Sequence, residues 1–181
     1  MIKKILEYIT NSCYHIIKIG RIGRNIGMEE KSLTVVDVAQ FFSSKEVMTH
    51  KKLQKLVYYA YAWYIALNND DCDNIKNRLC KKTNFEAWVH GPVCHELYNL
   101  CSNNYGMVEK YNGKINELIT GELKSYLEKI WKTFGKYTGD ELESMTHLET
   151  PWINARKGIE ASKPSNEIIE EKDMFIYYNN L

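Results

Sequence analysis

Apolar and polar positions along this chain follow a helical period over most of its length, and one run dominates. Leu53, Leu56, Val57, Ala60, Trp63, Tyr64 and Leu67 fall at i, i+3, i+4 and i+7 steps. That spacing predicts a long helix with a wide buried face, capped by Thr49 and ended at Asn68-Asn69-Asp70-Asp71. Upstream, Thr34-Val35-Val36-Asp37 fits a capping box ahead of Val38, Phe41 and Phe42, so a short helix opens the domain proper. Downstream, Leu123, Leu127, Ile130, Trp131 and Phe134 mark another amphipathic helix. Thr138-Gly139-Asp140-Glu141 is a full capping box for a short helix through Leu142 and Met145. Thr150 is placed to cap the next helix, with Pro151 in a first turn where a missing amide hydrogen costs nothing. Met174, Tyr177, Tyr178 and Leu181 then predict a terminal helix that returns to the core.

Between these elements the pattern weakens. Residues 70–84 are polar and read as a loop with a small turn of helix. Phe85-Glu86-Ala87-Trp88-Val89 alternates like a short strand, and His90-Gly91-Pro92 turns the chain. Pro92 is read as opening a helix with Val93, Leu97, Leu100 and Cys101 along one side, closed by Asn103-Asn104-Tyr105-Gly106. Ahead of all this, Ile2, Ile5, Leu6, Ile9, Ile16 and Ile17 predict an amphipathic helix, which Gly20, Gly23 and Gly27 break into a flexible joint. The expected fold is a mainly α, single globular helical domain over 34–181, with at most a short β element near 85–89. Residues 1–33 form an extension.

Composition narrows the function classes. A chain of 181 residues, 44% hydrophobic and 26% charged, has room for its own core without disulfides. Thirteen tyrosines and four tryptophans suit either core composition alone or a core that reaches a sticky surface. A net charge of +1 gives no electrostatic argument for nucleic acid, although residues 1–32 carry +3 and the stretch from Asn166 carries −3. No run of eighteen apolar residues offers a membrane span, and the five cysteines lack the spacing of a secreted framework. A reducing cytoplasm is the expected compartment.

Candidate chemistry is sparse. His90, Cys94, His95 and Cys101, with Cys72 and Cys80 upstream, lack the paired knuckle spacing of a zinc site, so no metal and no cofactor are expected. Nucleophile elbow, phosphate-binding glycine loop and zincin helix are all missing. His147 and Glu149 can act as an acid–base pair with Arg156 only if the turn bends, because i, i+2 positions diverge on a helix. The alternative is a buried polar network, in which His147 bonds a neighbouring carbonyl and Arg156 pairs with Glu149 or Glu86. Lys51, Lys52 and Lys55 are read as a solvated helix face, and Tyr58, Tyr59, Tyr61 and Trp63 as wrapping too far round their helix to be all core.

Four blocks, in order, resemble one family. They are Lys52-Leu53-Gln54-Lys55-Leu56-Val57-Tyr58-Tyr59-Ala60, then Glu86-Ala87-Trp88-Val89-His90-Gly91-Pro92-Val93, then Tyr137-Thr138 through Glu141-Leu142, and last Thr146-His147-Leu148-Glu149-Thr150-Pro151-Trp152 with Ala155-Arg156. Together they resemble the Panacea domain of bacterial and phage antitoxins, also called SocA-like or GepA-like, over roughly Val35 to Leu181. The resemblance implies a non-enzymatic antitoxin that binds and neutralises a cognate protein toxin encoded beside it. Two alternatives stay open: an adaptor that delivers the toxin to a protease, and a small hydrolase or nucleotide-modifying enzyme centred on His147 and Glu149. Signature positions carried over are Lys52, Leu53, Lys55, Leu56, Tyr58, Tyr59, Trp88, Gly91, Pro92, His147, Glu149, Pro151, Trp152 and Arg156, each either structural or toxin-binding. None is assigned a catalytic role. Residues 1–33 exceed the usual family start and are the expected partner-specific arm, and polar, cysteine-bearing sequence replaces the usual aliphatic stretch from Asp70 to Asn84. No membrane partner is implied, and direct nucleic-acid binding is not expected.

Overall fold

His50–Asn68, the helix predicted from the longest apolar run, is the axis of the fold. The computed structural model describes residues 32–101 and 106–181. Among these residues the order is α1 (Val35–Ser43), β1 (Met48–Thr49), α2 (His50–Asn68), β2 (Glu86–Trp88), β3 (Gly91–Val93), α3 (His95–Cys101), β4 (Met107–Val108), α4 (Gly121–Phe134), α5 (Gly139–Thr146), α6 (Thr150–Ala155) and α7 (Glu171–Asn179). The expected helix over 1–19, its glycine joint, the partner-specific arm up to residue 31 and the Asn103-Asn104-Tyr105 closure lie outside the described residues.

Fifteen of the nineteen residues of α2 are buried, so it is a central helix and not a two-sided surface one. α7 crosses it most extensively, α5, α1 and α4 flank it, and β3 lies against it. Tyr58, Tyr59, Tyr61 and Trp63 are each 1% exposed or less, which corrects the expectation that some of them reach the surface. Tyr59 stacks on Phe134 of α4 at 4.1 Å, Trp63 meets Tyr178 of α7 at 5.0 Å, and the Tyr126 hydroxyl donates to Ala60 O at 2.5 Å. The tyrosine surplus therefore fills the core, and the hydroxyls of Tyr59, Tyr61 and Tyr126 reach Glu149, Glu171 and Ala60 O within it.

Local capping is as read. Thr34 Oγ1 accepts from Asp37 N while the Asp37 carboxylate accepts from Thr34 N, and Thr138 and Glu141 do the same ahead of α5. Thr49 Oγ1 accepts from Lys52 N. Three local expectations change. Thr150 is the first residue of α6, not its cap; Glu149 holds the cap position without a capping bond, because its carboxyl is drawn into the core. Residues 70–84 contain turns but no helix; the Asn69 side chain closes this loop, accepting from Lys76 N and Asn77 N at 2.9 Å each. Pro92 does not open a helix but sits in a strand. There the chain is held extended by bonds to α2, and Cys94 N–H donates to Gln54 Oε1 at 2.8 Å before α3 starts at His95.

β2 and β3 form an antiparallel hairpin, Glu86 opposite Val93 and Trp88 opposite Gly91, with Val89-His90 as a two-residue turn. The segment around Ile168 adds to the outer edge of β2: Ala87 N donates to Glu167 O and Ile169 N to Phe85 O, both at 2.8 Å. A second small pair, β1 with β4, was not visible in the sequence pattern. Among the described residues no helix is long and apolar enough to cross a membrane.

Candidate functional site

The β2–β3 hairpin is where most of the polar signature residues meet. Its backbone carbonyls are taken one after another by side chains from distant elements. Lys55 Nζ of α2 donates to Pro92 O at 3.0 Å, Trp152 Nε1 of α6 to Trp88 O at 3.0 Å, and Arg156 Nη1 to Ala87 O at 2.7 Å. His147 faces the Val89 backbone and stacks on Trp152 at 4.1 Å. The Arg156 guanidinium lies 5.1 Å from the centroid of the same indole.

Gly91 makes this convergence possible. Its φ is +86°, and a Cβ there would stand 2.7 Å from Thr146 Oγ1 and 2.8 Å from Lys55 Cε. Backbone conformation and close approach therefore both demand glycine. Gly91→Ala is expected to lower stability by about 2 kcal/mol, from left-handed backbone strain plus overpacking, as read by urea unfolding.

Arg156 pairs with neither Glu149 nor Glu86, contrary to the sequence expectation. Besides Ala87 O, its guanidinium donates to Glu160 O at 2.9 Å, Ala161 O at 3.2 Å and Lys163 O at 2.7 Å. One buried side chain thus pins the hairpin to the 160–163 loop, using a planar fork that several carbonyls can share. Arg156→Lys keeps the charge but not the fork, and is expected to lower the melting midpoint in proportion to a loss of about 2 kcal/mol. Between these pinned walls a cleft of about 500 Å³ opens, lined by Trp88, Val89 and His90 on one side and Ser162, Pro164, Ser165 and Asn166 on the other.

Lys55 corrects the reading of a solvated lysine face. It is 1% exposed, because α2 is covered on that side by the hairpin. Burial pushes its amine down from 10.5 to about 7, with Glu143 opposing the fall and Lys51 adding to it. Glu143, which sequence reasoning missed, is the carboxylate of this neighbourhood: Lys51 Nζ stands 2.6 Å from Oε2 and His90 Nδ1 3.0 Å from Oε1. Burial raises its pKa, but the bonds from Lys51 and His90 outweigh that and hold it below the ordinary carboxylate value. Desolvation lowers His147, with Glu143 opposing. Lys51 also pairs with Asp140 at 2.8 Å, and Lys52 lies apart, bonded to Glu46 and Gly135 O at 2.6 Å.

Glu149 belongs to a different centre. It is 4% exposed and accepts from Tyr59 OH of α2 at 3.0 Å and Tyr178 OH of α7 at 2.5 Å. Burial raises its pKa from 4.5 to about 7, the two phenol bonds pulling the other way. His147 and Glu149 therefore serve separate partners and do not form a pair. Leu53 and Leu56 are plain core, Tyr58 packs edge-on against Phe85, and Pro151 is buried in the first turn of α6. The cysteine and histidine set weighed for zinc does not assemble; among the described residues, potential ligands cluster only at Asp71, Cys72 and Asp73 on the surface.

No curated protein and no solved structure matches this chain. The family model described as Antitoxin SocA-like, Panacea domain, matches residues 53–153. That span is shorter than the resemblance read from the sequence and leaves out Arg156 and α7, yet it holds Lys55, the whole hairpin, His147, Glu149 and Trp152. Covering more than half of the 181 residues, the match places the chain in its family: it belongs to the antitoxin SocA-like, Panacea domain family.

Proposed function

We propose that this protein is the antitoxin of a toxin–antitoxin pair, and that it neutralises a cognate protein toxin by binding it without catalysing a reaction. Membership of the antitoxin SocA-like family carries this reading. The hairpin supports a binding role for the signature: buried groups hold its backbone from below, while Trp88, Val89 and His90 line an open cleft. A binding surface needs a rigid base of this kind, since ordering a loose loop on association weakens affinity. The separate engagement of His147 and Glu149 favours binding over a hydrolase centred on that pair. The cytoplasm is the compartment in which such a toxin would be met.

The test is growth rescue. The product of the adjacent reading frame is induced with and without this protein, and the complex is captured from the same cells. Rescue together with a stoichiometric complex is the expected result. A toxic neighbour that is neither rescued nor bound overturns the proposal.

A further inference from the structure

Along β2, Glu86 and Trp88 alternate with the buried Ala87, so both side chains lie on the outward face of the hairpin. They are joined there, with Trp88 Nε1 donating to Glu86 Oε2 at 2.7 Å. Two further rings stand beside the indole. Tyr98, 39% exposed, is centred 4.8 Å away at 59°, and the exposed His95 is centred 6.4 Å away at 53°. Ile168, 36% exposed, lies across from Glu86 on the other strand. Among the described residues no lysine or arginine pairs with Glu86 or stands over Trp88, whereas Phe41, Trp131, Tyr137 and Trp152 each carry a cation.

Charge selects the occupant of this face. A protein surface that covers Trp88 also takes Glu86 out of water, leaving a carboxylate whose one bond is to an indole N–H. An unpaired charge in that position costs more than the apolar contact returns, so the covering surface must bring a cation. The geometry points to an arginine of the protein partner, its guanidinium paired with Glu86 and its plane laid on Trp88 beside Tyr98. Arginine suits this face better than lysine because its planar fork matches a carboxylate while its flat, weakly hydrated surface stacks on aromatic rings. Tyr98 and Ile168 offer apolar contact to the stem. This inference rests on the reading of the protein as a toxin-binding antitoxin, and names the chemistry that the toxin presents.

The test uses the full chain and the purified product of the adjacent reading frame, with affinity read by calorimetry. Glu86→Gln retains the shape and the indole bond but not the charge, and is expected to weaken binding about tenfold; Glu86→Lys is expected to weaken it about a hundredfold. Both should keep the wild-type circular dichroism spectrum. Ile176→Ser, on the exposed part of α7, should bind as wild type does. Replacing the partner's arginines one at a time by glutamate should find one whose lost affinity is restored by Glu86→Arg. If wild type binds and Glu86→Lys binds within about twofold of it, the arginine site is overturned while the antitoxin reading stands. Restoration at a partner lysine and at no arginine overturns the choice of arginine. If wild type itself neither binds nor rescues growth, both readings fall.

Discussion

Glu149→Gln removes a fall in stability that the wild-type protein undergoes between about pH 4.5 and pH 7. In the folded protein burial raises this carboxyl from 4.5 to about 7, whereas in the unfolded chain it returns to its ordinary value. Over that window the native state therefore holds a proton that the unfolded state has lost. Stability is full below the unfolded value and declines as pH rises through the folded one, by about 3 kcal/mol in all. Glutamine mimics the protonated acid, with one acceptor and one donor toward Tyr59 and Tyr178, so the variant should be flat where wild type slopes. His50 and His147, both lowered chiefly by burial, slope in the opposite sense over part of the range, so the difference between variant and wild type is the quantity to measure. Urea unfolding at half-unit steps from pH 4.5 to 8 reads it. A difference that stays constant with pH would mean that Glu149 is ionised throughout.

Lys55→Met acts with the opposite sign and in the adjoining window. Here the folded pKa is depressed, from 10.5 to about 7 through burial, so between these values the native amine is neutral while the unfolded one is charged. The unfolded state binds the extra proton, and wild-type stability rises from about pH 7 toward pH 10, by up to about 5 kcal/mol. Methionine removes that rise. It also leaves Pro92 O without its donor, a constant loss of about 1–3 kcal/mol that does not depend on pH. The variant should thus be at least as stable as wild type near neutrality and less stable at pH 10. Above pH 10 the buried tyrosines Tyr58, Tyr59, Tyr126 and Tyr178, all raised by burial, take stability away again. Taken with Glu149, these signs place a stability minimum near pH 7, set by two buried groups with folded values close to neutral.

What the sequence made legible was local. Both capping boxes close three residues from where they begin, and α2 announces itself through a period that nineteen residues repeat. Pro92 was misread because its own neighbourhood does suit a helix start; the bonds that hold it in a strand come from Gln54 and Lys55 on α2, far away in sequence. Lys55 was misread for a related reason. A lysine beside Lys51 and Lys52 looks solvated until the hairpin is known to cover that side of the helix. The candidate site was visible as a set of signature residues but not as an arrangement. Trp88, Gly91, Pro92, His147, Trp152 and Arg156 proved to share the hairpin, whereas Glu149 proved to belong with Tyr59 and Tyr178. Glu143 left no mark at all, since a glutamate on a short polar helix is the commonest of surface residues.

The burial of α2 also bears on how the chain is made. Of the helices that cover it, α1 precedes it and α4 and α5 follow, while the most extensive, α7, begins about a hundred residues after α2 ends. At ordinary rates of translation the ribosome needs on the order of ten seconds to travel that distance. For that interval the part of α2 that α7 covers, Trp63 with it, stays open, and Glu149 emerges with Tyr59 made and Tyr178 not yet synthesised. The nascent protein is therefore sticky for longer than a domain built from sequential neighbours. It depends on whatever shields exposed aromatic surface at the ribosome exit, and slow codons between residues 68 and 171 should lower its soluble yield more than the same codons placed before Thr49.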